Sequence, residues 1–364
     1  MNRTPLFVQG ILTGVLAVAG PVWAGTLYEA TDLGGILTPG GLTHLNDQGH
    51  LAGYLGGIAA LWTPQEGLLL LGTFGGAHSR ATALNNMGTV VGVSQTPDGH
   101  THGFIWSAGQ GMQDIGDGVY PSAVNDAGSV LGEDTAGTFV RAADGTEQRI
   151  VVPVDSLWIG AIGLDRGGRV GGNVGVCIDT DPVEGCLASV AHPFIWSAGE
   201  GVIDLGEGTQ GYGVLAINED GVLLGVYTPQ GSGTRRVFVA TRSNGLVDLG
   251  AWNGPGDPRA INQLLEIAGA YSVGGANLRP VLWEAPGFSY LDERLVNPIA
   301  SGLGFGYAYA INNRGQVLTS NRSTDYLLSP VPSARDSGGS SFGFTDLTLL
   351  SFIVWLRRAQ WSRH

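Results

Sequence analysis

The chain has 364 residues, 13% of them charged, with 61 Gly and a formal net charge of −13. Every basic residue is Arg, which removes phosphate-loop Lys chemistry and Schiff-base chemistry from consideration. An acidic chain with no basic patch is a poor match for a nucleic-acid backbone, and its length is enough for one large core.

The first element, residues 1–24, joins Arg3 to an apolar stretch from Leu6 to Ala19 and a small-residue site. This order predicts a secretory signal peptide, with processing between Ala24 and Gly25. Residues 25–330 then carry one pattern seven times: an apolar residue, Asn or Asp, two residues, usually Gly, and an apolar run. The copies start at His44, Ala83, Ala123, Gly163, Ala216, Ala260 and Ala310. Their starts are 39, 40, 40, 53, 44 and 50 residues apart. A period near 40 containing several short strands points to a propeller or a solenoid.

In the unit from Ser79 to Gly116, the spacing predicts strands over Ala81–Leu84, Thr89–Ser94, Gly103–Trp106 and Met112–Ile115. The Asn85-Asn86-Met87-Gly88 segment suits a tight antiparallel turn. Four short strands in about 40 residues is the size of a propeller blade. Trp62, Trp106, Trp196 and Trp283 recur at one place in the unit, which predicts packing between blades. The seventh unit has three strands before the spacer begins, and Thr26 to Gly34 ends in the Asp-Leu-Gly of a fourth strand. We therefore expect an all-β fold, a propeller of seven four-stranded blades closed by the N-terminal strand. The alternative is an open β-solenoid, which would leave sheet edges bare.

Residues 331–341 form a Pro/Ser/Gly spacer containing Gly338 and Gly339, and residues 342–364 form an apolar segment with a basic end. This tail resembles the GlyGly-CTERM sorting signal, although Asp346 interrupts its apolar stretch. The resemblance implies export machinery and a rhomboid-type sortase as partners, transient membrane contact, and display on the surface of a Gram-negative bacterium. The repeats themselves resemble the HAF family of extracellular repeats. The match runs from Leu71-Gly72-Thr73-Phe74-Gly75-Gly76 through Gly92 and includes the His-x-Phe-x-Trp element at His102–Trp106 and His192–Trp196. It implies an extracellular location and carries no particular chemistry.

Binding on such a scaffold is expected on the face with the longer, variable connections. The candidates there are Phe74, His78, Tyr120, Tyr212, Trp252 and Asn253. The longest insertion, Asn173 to Ala191, reads as a loop on that face. Cys177 and Cys186 are the only cysteines, and in an exported chain their spacing predicts a disulfide pinning this loop. Asp179, Asp181 and Glu184 within it are candidate Ca²⁺ ligands, though they lack the twelve-residue calcium-loop pattern. No other cofactor is implied.

His100 and His102 have metal-like spacing, but His102 is a repeat residue, and His44, His50 and His78 are scattered over other units. Asp114, Asp204 and Asp248 recur at one repeat position, so they are expected to satisfy backbone NH groups. A His-Glu-x-x-His motif and a phosphate loop are both missing from the sequence, and no nucleophile elbow is read within the repeats. The pattern favours a recognition module for a glycan, matrix component or envelope protein over an enzyme. Alternatives are a structural surface or biofilm component, or a polysaccharide hydrolase or lyase with acids in the channel.

Overall fold

The computed structural model describes residues 26–33, 42–181, 185–206, 211–252, 256–272, 278–284, 287–299, 306–321 and 324–331. Residues 1–25, with the expected processing site at Ala24 and Gly25, and residues 332–364, with Gly338, Gly339 and the apolar tail segment, lie outside the described residues. The chain forms seven four-stranded antiparallel sheets. We number them as blades 1 to 6 over residues 42–72, 79–117, 120–149, 156–204, 212–251 and 258–290. Blade 7 takes three strands from residues 308–330 and its fourth from Tyr28–Asp32. The first strand of every blade lies against the first strands of both neighbours, so these strands ring a central channel. The solenoid alternative is thereby excluded.

The closing strand pairs Tyr28 with Pro330 and Asp32 with Tyr326. Tyr28 and Leu33 are buried there, one beside Leu328 in the blade 6–7 cluster and the other beside Leu327 in the blade 7–1 cluster. Burying two such side chains contributes roughly 2 kcal/mol each, and the pairing removes an exposed sheet edge.

Inside the blades, a second-strand Gly faces a third-strand Phe: Gly92 pairs with Phe104, Gly132 with Phe139, Gly172 with Phe194 and Gly225 with Phe238. All four Phe rings are fully buried. A Cβ on Gly225 would stand 2.3 Å from the Phe238 ring, and one on Gly132 would stand 2.7 Å from Phe139. In these four blades the Gly that ends the apolar run is the floor on which the ring lies. Trp106 and Trp196 are buried in clusters that span adjacent blades, as their repeated position predicts.

The turn between the first and second strands does more than reverse the chain. Its Asn keeps its side chain buried and uses both ends of the carboxamide. In Asn85, Oδ1 accepts the NH groups of Met87 at 3.0 Å and Thr89 at 2.8 Å. Its Nδ2 donates to the carbonyl of Asn125 in the next blade at 2.8 Å. The same inter-blade donation links Asn46 to Asn85, Asn125 to Asp165, Asn218 to Asn262, and Asn262 to Asn312. Asn312 completes the circle by donating to the carbonyl of Asn46 at 2.8 Å.

Blade 4 has Asp165 in this position and so lacks the amide donor. Arg169 replaces it: Nε donates to Asp165 Oδ2 at 2.5 Å, and Nη2 donates to the Asp220 carbonyl of blade 5 at 3.1 Å. The turn Gly three residues after the Asn has positive φ, as in Gly88 at 78°. In the sixth repeat Leu265 takes this conformation at φ 61°. The strain of about 1 kcal/mol is offset because its side chain is buried against blade 5.

The insertion of blade 4 is a correction to the sequence reading. It is not an irregular loop but an extension of two strands, Val170–Asp181 and Gly185–Ser197, paired almost to their tip. The disulfide between Cys177 and Cys186 joins the two strands, with Cα atoms 5.8 Å apart. Backbone pairing, with one crosslink, orders this arm without a core of its own.

Two outcomes follow from this architecture. Arg169→Gln leaves the fully buried carboxylate of Asp165 without its cation, and should cost about 3–5 kcal/mol in urea unfolding. The double variant Asp165→Asn/Arg169→Ser restores the carboxamide of the other blades and should recover most of that loss. Separately, Asp325 is buried at the closing seam with neither carboxylate oxygen hydrogen-bonded, and burial pushes its pKa up to about 6. A raised folded-state pKa means stability is fully present near pH 4 and falls as pH rises through 6, by roughly 3 kcal/mol at most. Asp325→Asn should therefore raise the thermal midpoint at pH 8 and leave it nearly unchanged at pH 4.

Candidate functional site

Aligning the blades on their turn Asn or Asp shows where the ring departs from its own symmetry. Two residues before it, the first strands carry Ala83, Ala123, Gly163, Ala216, Ala260 and Ala310, but blade 1 carries His44. Small residues at this position let neighbouring first strands pack closely; an imidazole cannot be accommodated in that way. Next to His44 the channel wall opens into a cavity of about 610 Å³ reaching from blade 1 to blade 4. It lies at the start of the first strands, on the face of the variable connections.

Its lining mixes donors, acceptors and rings. Thr43, Thr82, Ser122 and Thr138 supply hydroxyls, Tyr54 and Tyr120 supply rings, and Arg80 and Glu133 supply charges. Burial, helped by the nearby Arg80 guanidinium, lowers the His44 pKa to about 4. The imidazole is thus neutral above about pH 5 and offers one NH and one acceptor nitrogen. Thr82 Oγ1 is already committed to the Pro121 carbonyl at 2.7 Å. Tyr54 and Glu133, like Val93, stand eight residues after their turn Asn and break a column that is otherwise mostly small or apolar.

The opposite mouth of the channel is braced. Glu219 of blade 5 reaches across it, accepting from Asn86 Nδ2 of blade 2 at 2.7 Å through one oxygen. Its other oxygen accepts from Arg166 of blade 4 and Gln263 of blade 6, each at 2.8 Å. Neighbouring carboxylates here are also occupied, Asp47 by Asn313 and Asp126 by Asn86. This mouth is a cross-braced plug, which leaves the opposite face as the way into the larger cavity.

The residues chosen from sequence for the variable face do not form one surface. Tyr120 is exposed and lines the cavity. His78 lies in a shallow adjoining groove with Tyr54 and Arg80. Phe74 meets the His102 ring edge-on, at 6.4 Å between centroids. Tyr212 belongs to a ring cluster with Tyr227 and Phe238. Trp252 is buried against Tyr271 and Phe288, so its ring is a packing element and not a contact for ligand. Asn253 lies outside the described residues, and so does Glu184; Asp179 and Asp181 sit on the blade-4 arm. Sequence reading passed over His44, Arg80, Tyr54 and Glu133, although the repeat columns hold the signal.

The recurrent Asp residues act structurally. Asp114, Asp204 and Asp248 each accept, through Oδ1, the NH of the Gly two residues on at 2.8 Å. Their second oxygens bind His102 at 2.8 Å, His192 at 2.9 Å and Arg236 across the last two strands. They clamp strand edges and do not converge on the channel.

The sequence matches no protein-family model and no curated protein. Solved structures do match. The selenomethionine-substituted virginiamycin B lyase from Staphylococcus aureus aligns over 84% of this chain and 99% of its own, with 10% identity and a TM-score of 0.50. The β-propeller domain of the Trilobed protease from Pyrococcus furiosus aligns over 83% and 94%, with 10% identity and a TM-score of 0.49. A Pyrococcus horikoshii acylaminoacyl peptidase covers 70% of this chain and 46% of its own, at 9% identity and a TM-score of 0.48. At such identities the likeness concerns the fold. The chain is a seven-bladed β-propeller, and its chemistry has to be read from its own side chains.

Proposed function

We propose that this chain is an exported recognition protein that binds a saccharide in the cavity between blades 1 and 4. The observation carrying this reading is His44, the residue that breaks an otherwise Ala/Gly column beside a cavity of about 610 Å³. A repeat array keeps its packing residues alike from blade to blade, so a departure that opens a polar, ring-lined hollow is the mark of a ligand site. Hydroxyls, a neutral imidazole and the exposed Tyr120 suit a polyol: donors and acceptors for its hydroxyls, a ring for its CH face.

Export is supported by the N-terminal signal pattern and by the disulfide, which fits an oxidising compartment. No helix among the described residues is long and apolar enough to cross a membrane. Retention at a cell surface through the C-terminal tail is part of the same proposal, as is the relationship to the HAF repeats. Glu133 is the one carboxylate among the described residues lining the cavity, so the paired acids of a glycosidase are not assembled there. A second reading, a structural surface component, draws on the exposed Leu157, Ile178 and Leu187 of blade 4. Concentration-dependent association in sedimentation, lost on replacing Leu187 by Ser, would favour it.

Glycan-array binding tests the recognition reading directly. The full-length protein should show saturable binding to a defined set of saccharides. Tyr120→Ala should weaken it about tenfold, and His44→Ala should weaken it without lowering the thermal midpoint. An array on which no saccharide binds above background would overturn it.

A further inference from the structure

The distribution of unpaired Arg side chains identifies the class of saccharide, an inference that rests on the cavity being a saccharide site. In a chain of net charge −13, a guanidinium ordinarily finds a carboxylate. Arg141, Arg149 and Arg166 do so in blades 3 and 4, and Arg169, Arg235, Arg236, Arg242, Arg279 and Arg294 do so elsewhere. Among the described residues only Arg80, Arg259 and Arg314 lack an acidic partner. Arg314 is on an exposed turn at the plugged mouth. The other two belong to first strands, the strands that ring the channel.

Arg80 lines the cavity itself, close enough to His44 to depress its protonation, and still has no acid within ion-pair distance. Glu133 lines the same cavity, so the two opposite charges share one hollow without neutralising each other. Arg259 comes from blade 6. It stands three residues before its turn Asn, in the column filled by Thr43, Thr82 and Ser122 where blades 1 to 3 line the cavity. Its guanidinium lies 5.2 Å from the centre of the Tyr307 ring, which is stacked on Tyr309 at 6.0 Å. Cation and ring together make a second place where a sugar acid could rest.

An exposed guanidinium with no acidic partner in an acidic protein is set to receive an anion from outside. Arg80 in the cavity and Arg259 on the first strand of blade 6, three blades apart by the shorter way around the ring and each with Tyr rings nearby, fit a ligand with more than one negative charge. Hydroxyl-rich surroundings and Glu133 fit the uncharged parts of a sugar, since a carboxylate accepts hydroxyl hydrogen bonds well. We infer that the channel mouth binds an acidic oligosaccharide of the uronic-acid class, with one carboxylate at Arg80 and another at Arg259.

The test compares an α-1,4-linked galacturonic acid oligomer with its methyl ester by calorimetry, using the full-length protein. Esterification removes the charge and keeps the sugar rings. The free acid should bind and the ester should bind at least about tenfold more weakly. Arg80→Gln and Arg259→Gln should each reduce affinity for the acid by about ten- to hundredfold, with an unchanged thermal midpoint, and Arg314→Gln should behave as the parent. Affinity should also fall as salt rises, less steeply in Arg80→Gln.

Equal binding of acid and ester, both weakened by Tyr120→Ala, would overturn the anionic class and leave the saccharide site standing. Binding of neutral sugars alone on the array would have the same consequence. Acid-selective binding unaffected by either Arg variant would overturn the assignment of these two residues. Failure of every saccharide to bind would remove the inference together with the function on which it rests.

Discussion

Six of the seven blades depend on one carboxamide. The turn Asn has a buried side chain whose oxygen satisfies two NH groups of its own turn and whose nitrogen satisfies a carbonyl of the next blade. A buried amide left unpaired costs about 1–3 kcal/mol, so every link is worth more as a set than a surface contact would be. Because Asn312 donates to Asn46, the chain of links ends where it began, and ring closure is built into the same interaction as blade spacing. Blade 4 shows how strong the requirement is. With Asp165 in place of Asn, a guanidinium supplies both the missing donor and the neutralising charge.

This ring of hydrogen bonds sits at one end of the first strands, with the plug of Glu219 above it. The other end is free of that constraint, and there the blades diverge in chemistry. Three residues before the turn Asn or Asp, the first strands run from Thr43, Thr82 and Ser122 through Ile162 and Leu215 to Arg259 and Tyr309. One end of the channel therefore holds the array together, and the other can vary from blade to blade with little effect on closure. Separation of rigid frame from variable wall is what allows His44 to stand where the other blades need a small residue.

Much of the architecture was legible beforehand because it is local. The Asn-x-x-Gly spacing encodes a turn with positive φ at Gly88 and its equivalents; the alternation of short apolar runs encodes strands. The unpaired third strand of the seventh unit and the Asp-Leu-Gly ending of residues 26–34 together told of a strand completing the last blade, and Tyr28–Asp32 does so. The repeated Asp114, Asp204 and Asp248 were readable as backbone caps for the same reason, since they act within two residues of themselves.

The site was less legible because its members come from four blades, between Thr43 and Ala161, and meet only once the ring exists. Tyr120 could be placed by its loop, but Trp252, chosen on the same grounds, turned inward because Tyr271 and Phe288 enclose it. The blade-4 arm read as a loop because it is the longest insertion in the repeat; pairing from Val170 to Asp181 with Gly185 to Trp196 makes it an extension of two strands instead. Sequence by itself determined the number of blades, their turns and the strand that closes them, all set by spacing along the chain. Which side chains share the cavity, and which Arg residues there lack an acidic partner, was decided only by tertiary structure, because proximity across blades depends on the closed ring.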